Sequence, residues 1–407
     1  MSEMGREERM TAAPPAGRVR GHLVYLAAFF MDFSMGCGSV AGVYCAKEKF
    51  GATPAQLGLY ASLSAGIYVC SALLFGRLSD RWGRRTNIVL ACAAAAAALT
   101  GAPLAGTLWQ LYGLMMASAC GHGAFWPAIE ADISDHSTPD ELSRRLGRFN
   151  VAWGMGLVTG SLVAGWMGQH RGWPGVFRMA AGVAIIAMVL HAFRRFAPER
   201  ALARETAEPP VPGAAALAPS LWKMALLINF AAVGLAGTVR VHMPTVSGGG
   251  RGALGGTYLA LLYLAQFVSF LVLARWQGWR HRLAPLTGAS LLAVAGAAVC
   301  GLFSGSYLFG AGCLLAGFGC GVAYNLSLYY SVAAASGRGH RGGIHEAVLA
   351  SGAAVIPYAG GLLATTSLAK GFPWSKGVPH LTAGVLLLVA FLCARWCCAR
   401  SRGRKEP

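Results

Sequence analysis

The stretch Gly76-Arg77-Leu78-Ser79-Asp80-Arg81-Trp82-Gly83-Arg84-Arg85 decides how the rest of the chain is read. Five charges and two glycines stand between two apolar runs, 54 to 77 and 86 to 105, each near the ~20 residues that a helix needs to cross a bilayer. Further apolar runs of that size recur along the chain. Across its 407 residues 55% are hydrophobic and 12% charged, whereas soluble domains carry about a quarter charged residues. The bilayer is therefore the expected solvent, and the fold class is an all-α membrane protein.

Hydropathy places the remaining spans near 22 to 45, 107 to 133, 146 to 168, 174 to 195, 220 to 243, 255 to 274, 284 to 303, 305 to 334, 343 to 366 and 379 to 396. The polar segment 196 to 219, with Arg200, Arg204, Glu205, Glu208 and Pro209, Pro210, Pro212, cannot lie in lipid as a helix. The domain expectation is an N-terminal tail over 1 to 21, a six-helix bundle over 22 to 195, a linker over 196 to 219, a second bundle over 220 to 396, and a basic tail over 397 to 407. Lys and Arg are retained on the cytoplasmic side. With the N-terminus inside, that side collects Arg77, Arg81, Arg84 and Arg85, then Arg144, Arg145 and Arg148, Arg194 and Arg195, Arg275, Arg280 and Arg282, and the C-terminal arginines. The other side holds Lys47, Lys49, Arg171, Arg251, Lys370 and Lys376. An even number of spans with both termini cytoplasmic follows. The net charge of +18 then reads as a topology signal, and no basic helix with interleaved aromatics points to nucleic acid. Residues 1 to 21 are polar and lead into a span too long for a signal peptide. The tail cysteines Cys393, Cys397 and Cys398 lack zinc-ligand spacing, and no metal or cofactor is expected.

The segment from Gly76 to Arg85 resembles the G-x-x-x-D-R-x-G-R-R signature of the major facilitator superfamily, in the loop where that family carries it, and the six-plus-six architecture is similar from about residue 22 to 396. The resemblance implies two six-helix bundles that move a small solute by alternating access, in the plasma membrane (a bacterial inner membrane) and as a monomer. It implies a gating group of Gly76, Asp80, Arg81, Gly83, Arg84 and Arg85 with Glu130 and Asp132. Asp80 would accept hydrogen bonds at the N-terminus of the eleventh span, near Gly342 and Gly343, where free N–H groups favour an anion. Arg81 would pair with Glu130 or Asp132. Pro198-Glu199-Arg200 is similar to a Pro-Glu element that many members place after the sixth span.

Three departures stand against this. The second-half copy of the loop, Arg275-Trp276-Gln277-Gly278-Trp279-Arg280, has Arg275 where Asp80 stands. Ala117 takes the place of an Arg that many proton-coupled members carry before a Gln-Gly pair. The fifth span resembles the antiporter glycine motif at Gly156, Gly160 and Gly165, but Ser161 replaces its proline.

Sixteen acidic residues exist in the whole chain, so one at membrane depth is informative. Asp32 sits about ten residues into the first span, where a carboxylate costs a few kcal/mol and normally faces a cavity or a partner. It is the leading candidate for proton coupling or solute binding. His122 and Trp126, four residues apart, share a helix face and would set a titratable ring beside an aromatic platform; a structural histidine bonded to a backbone carbonyl is the alternative. Asn150, Asn229, Gln266, Tyr324, Asn325 and Tyr358, with Trp153 and Tyr263, supply polar or aromatic edges. They suggest a weakly charged cavity for a neutral, cationic or sugar-like solute. Arg240 and His242 lie near the external end of the seventh span and could attract anions, with snorkelling to the interface the commoner explanation. Glu346 is read as compensating a helix dipole. Two other classes were weighed, a non-transporting sensor and a membrane-embedded enzyme. His345-Glu346 lacks the second His of a zinc-protease motif, since Leu349 stands there.

Overall fold

The computed structural model describes residues 18–135, 139–193, 218–248, 250–280, 282–303, 307–332 and 338–403. Twelve long helices follow one another: α1 Arg18–Glu48, α2 Pro54–Trp82, α3 Arg84–Gly101, α4 Leu108–Asp135, α5 Pro139–Arg171, α6 Trp173–Ala192, α7 Ala218–Ser247, α8 Gly252–Arg275, α9 Leu283–Leu302, α10 Tyr307–Val332, α11 Arg338–Ala369 and α12 Val378–Gly403. Eleven of them are long and apolar enough to cross a membrane. The exception, α4, has 28 residues and the length to span, but Gln110, His122, Glu130 and Asp132 dilute its hydropathy. The chain alternates between two ends. The motif end carries the α2–α3 junction, the start of α1 and the end of α12; the far end carries the α1–α2 junction.

The helices match the expected spans to within a few residues except at four places, one of them the start of α11 at Arg338, five residues early. Residues 76 to 82 are the last turns of α2 rather than a loop, because only Gly83, at φ 86°, breaks the helix before α3 begins at Arg84. An L side chain is disfavoured there by about 1 to 2 kcal/mol. Gly83→Ala is therefore expected to lower the thermal midpoint of the purified protein, and an unchanged midpoint would refute the claim that this backbone angle is needed. α5 starts at Pro139, seven residues early, with proline at its first position, where the missing N–H costs nothing. α12 continues to Gly403, through most of the expected tail. Residues 194–217, including Pro198 and Glu199 and most of the expected linker, lie outside the described residues.

Within the first bundle α1 packs on α5 and α6, α3 on α4 and α6, and α2 on α4; the second bundle repeats this with α7 to α12. Glycine permits the closest of these crossings. A Cβ on Gly156 would stand 2.4 Å from the Phe29 carbonyl oxygen and 3.0 Å from Cβ of Asp32, so the α1 and α5 backbones meet where Asp32 sits. Ordered aliphatic side chains, among them Leu73, Leu74, Val385 and Leu392, stay exposed on the outer surface, as a lipid-facing surface requires.

The two bundles meet along α2–α11 and α5–α8. In the far half this contact is backbone on backbone. A Cβ on Gly58 would lie 2.5 Å from the Pro357 oxygen, one on Gly361 2.3 Å from the Pro54 oxygen, and one on Gly256 2.5 Å from the Ser161 oxygen. Hydrogen bonds in the same half join Tyr44 Oη and Ser247 Oγ at 2.6 Å, Ser62 Oγ and the Ala354 oxygen at 2.6 Å, and Ala55 N and Thr365 Oγ1 at 3.0 Å. Gly250 N donates to Glu48 Oε1, and Ala253 N to Gln169 Oε1. The far end is closed.

Candidate functional site

The interior between the bundles is built from α1, α2, α4, α5 and α7, α8, α10, α11. Asp32 projects from α1 with 1% of its surface exposed, and its Oδ2 has no hydrogen-bond partner. The hydroxyls of Tyr68 on α2 and Tyr263 on α8 are within electrostatic range of its carboxylate. Asp32 therefore lies where helices from both bundles converge. An ionised carboxylate held without a partner at this depth is costly.

Arg240 lies inside, not at the membrane surface, which corrects the snorkelling expectation. Its guanidinium is within hydrogen-bonding range of the Tyr263 hydroxyl and within electrostatic range of buried Tyr60. Neighbouring His242 is fully buried and bonds the Pro357 carbonyl through Nε2 at 3.0 Å. α7 runs on to Ser247, so Arg240 stands about two turns, ~10 Å, short of the helix end. A signal for this was present in the sequence: Tyr60, Ser64 and Tyr68 recur every four residues, a polar stripe along one face of α2.

Nearer the motif end, Glu130 on α4 and Glu346 on α11, both exposed, come within electrostatic range of each other across the bundles and of Tyr324 on α10. Because α11 starts at Arg338, Glu346 lies more than two turns into the helix, past the turn whose dipole it was expected to compensate, and its side chain is exposed. Aromatic rings tie the two bundles together beside these acids. Trp126 meets Trp153 at 6.2 Å between ring centres, Trp153 meets Phe270 at 6.3 Å, Phe270 meets Tyr324 at 5.7 Å, and Tyr324 meets His345 at 5.4 Å. Trp153 and Phe270 are the link between bundles, and with Tyr263 and Gln266 they line a small gap between α5 and α8.

The other expected residues divide. His122 is 4% exposed, and its Nδ1 faces the Ser118 carbonyl at 2.8 Å, the arrangement of a structural histidine, while Nε2 is left without a partner. Asn150 accepts from Trp153 Nε1 at 3.0 Å within its own helix. Asn229 is fully buried with both side-chain polar atoms unpartnered. Tyr358 sits where α11 crosses α2, its Cα 2.7 Å from a Cβ built on Gly58. Asn325, next to Tyr324 on α10, is partly buried.

The gating residues are organised differently from expectation. Asp80 is ion-paired to Arg84 across the α2–α3 break at 2.5 Å, with its side chain 62% exposed. Arg84 also donates to Ser79 Oγ, and Arg85 donates to the Ala192 carbonyl of α6. The acid thus secures its own junction, whereas Gly342 and Gly343 lie inside α11, which starts at Arg338. Arg81 is exposed at the motif end; Glu130 is within electrostatic range of Glu346, and Asp132 is fully buried. A Cβ on Gly76 would stand 3.5 Å from Pro127 of α4. In the second bundle the matching junction holds without an acid. Trp279 is 4% exposed and donates to the Leu273 carbonyl at 2.9 Å, its ring 4.8 Å from Tyr329, and Arg280 lies over that tyrosine.

Twelve helices in two bundles, closed at one end around a polar interior, define a membrane transporter fold. Comparison with known proteins agrees. The profile of the Major Facilitator Superfamily matches residues 24–357. Over 113 residues the chain is 34% identical to the tetracycline resistance protein, class D, of Salmonella ordonez, covering 28% of each protein. Over 193 residues it is 26% identical to solute carrier family 67 member A1 of Homo sapiens, covering 46% of this chain and 43% of that one. The chain thus matches less than half the length of either relative. A solved structure of a bacterial homologue of the human lysosomal transporter Spinster, inward-facing and occupied, superposes with a TM-score of 0.73 at 14% identity, over 96% of this chain and 98% of that one. The chain belongs to the Major Facilitator Superfamily.

Proposed function

We propose that this protein is a secondary transporter of the plasma membrane that carries a small solute by rocking its two bundles about the central site, with Asp32 as the proton-exchanging group. The motif end faces the cytoplasm together with both termini, since Arg77, Arg81, Arg84, Arg85, Arg275, Arg280 and Arg282 gather there and basic residues are retained inside. The observation that carries the reading is Asp32 itself, a buried carboxylate with an unpartnered oxygen where both bundles converge. The closed far half supports it, because a solute path sealed on one side is one of the two states that alternating access needs. The interior ring contacts between Trp153 and Phe270 then form an inner constriction between the site and the cytoplasm. The protein works as a monomer, each chain holding its own pair of bundles.

The test is solute flux in proteoliposomes holding the purified protein, against empty liposomes, over a panel of labelled neutral, cationic and anionic small molecules. Protein-dependent counterflow of at least one solute is expected. Absence of flux for the whole panel, with the protein folded and correctly inserted, would point to a non-transporting sensor.

A further inference from the structure

We infer that Arg240, with the hydroxyls of Tyr60 and Tyr263, forms a subsite for the carboxylate of a small monocarboxylic solute. This rests on the transporter reading and names the substrate class of the same cavity. Arg240 is half-buried, and a guanidinium held partly out of water without a counter-charge is unfavourable. Among the described residues no carboxylate forms an ion pair with it, and its Nε is buried without a hydrogen-bond partner. A tyrosine hydroxyl carries no charge in its ordinary range. The flanking tyrosines orient the guanidinium without compensating it, which leaves its planar donor edge for an acceptor from outside the protein. That edge matches two carboxylate oxygens at once, and an arginine favours this bidentate geometry over a single polar atom.

The acids set the number of negative charges that the solute can carry. Asp32 shares Tyr263 with Arg240, and Glu130 and Glu346 stand nearer the motif end. A second carboxylate on the solute would face one of these three, so a monoanion is favoured over a dianion. A neutral amide of the same shape would leave the guanidinium uncompensated. The arrangement therefore shifts the expected solute from neutral or cationic to singly anionic.

The experiment is thermal unfolding of the detergent-purified full chain with acetate, lactate, benzoate and nicotinate, each beside its own amide, and with succinate as the dianion. At least one monocarboxylate should raise the midpoint with saturating concentration dependence, and its amide and succinate should not. Arg240→Gln should weaken that binding by at least about tenfold, with Arg240→Lys intermediate. Unliganded Arg240→Gln should unfold close to the wild-type midpoint, since the half-buried residue makes no ion pair among the described residues, which separates lost binding from lost folding. The inference is overturned if the amide stabilises as well as its acid, if Arg240→Gln keeps wild-type affinity, or if no monocarboxylate acts on the wild type. Binding without flux would leave this subsite standing and remove the transporter reading; flux of amides or amines alone would do the reverse.

Discussion

Gly256→Val is expected to hold the far end open and to cut solute flux by about tenfold or more while the protein still folds. A Cβ at position 256 would stand 2.5 Å from the Ser161 oxygen and 2.9 Å from Cα of Gly165, both backbone atoms of α5 that no rotamer change can move. Overpacking of this kind costs about 1 to 3 kcal/mol. Applied to a closing equilibrium, this is a shift of roughly five- to 150-fold, at 1.4 kcal/mol per factor of ten. The cost falls on one state only. When the bundles part, the side chain enters the space between them, and the packing of α8 against α10 inside the second bundle is untouched. Spin labels at His170→Cys and Arg251→Cys, at the far ends of α5 and α8 in a background lacking the native cysteines, read the opening directly. The distance distribution should move to longer values in Gly256→Val, with the helical circular dichroism signal retained. Unchanged distances together with unchanged flux would mean that this contact does not govern closure.

What the sequence disclosed follows from how each feature is encoded. Helix count and order were legible because crossing a bilayer requires ~20 apolar residues, a signal carried by every span except α4, where Gln110, His122, Glu130 and Asp132 weaken it. Asp32 was legible because a lone carboxylate in an apolar run is rare and costly. Arg240 was misplaced because a basic residue within a few turns of a helix end has two outlets, the interface and the interior, and hydropathy cannot choose between them. The choice is made by Tyr60 and Tyr263, which come from α2 and α8 and meet α7 only in the fold. Asp80 shows the same limit from the other side. Its residue type and spacing marked the junction, but its partner Arg84 became the nearest cation because Gly83 breaks the helix after Trp82 instead of several residues earlier. His122 needed knowledge of where its ring turns, and the Ser118 carbonyl one turn back was the local answer.

Asp32→Asn is expected to separate solute movement from the proton gradient. Asparagine keeps the size and hydrogen-bonding capacity of the side chain and removes its ability to titrate. The Gly156 crossing beside it, with 3.0 Å from a built Cβ to Cβ of Asp32, should therefore survive and the variant should fold. One pH unit across the membrane corresponds to about 1.4 kcal/mol, so a wild-type transporter moving one proton per solute accumulates its substrate up to about tenfold per unit. The variant should accumulate none, yet still exchange labelled for unlabelled solute across proteoliposomes at equal pH. Exchange depends on the rocking of the bundles and not on the titration. Glu130 and Glu346 are two further carboxylates nearer the motif end, within electrostatic range of each other. If gradient-driven accumulation persists in Asp32→Asn and disappears in Glu130→Gln, the proton is carried at that pair. Asp32 would then be a group that repels a second negative charge from the solute, and its replacement should widen the accepted class from monocarboxylates to dicarboxylates.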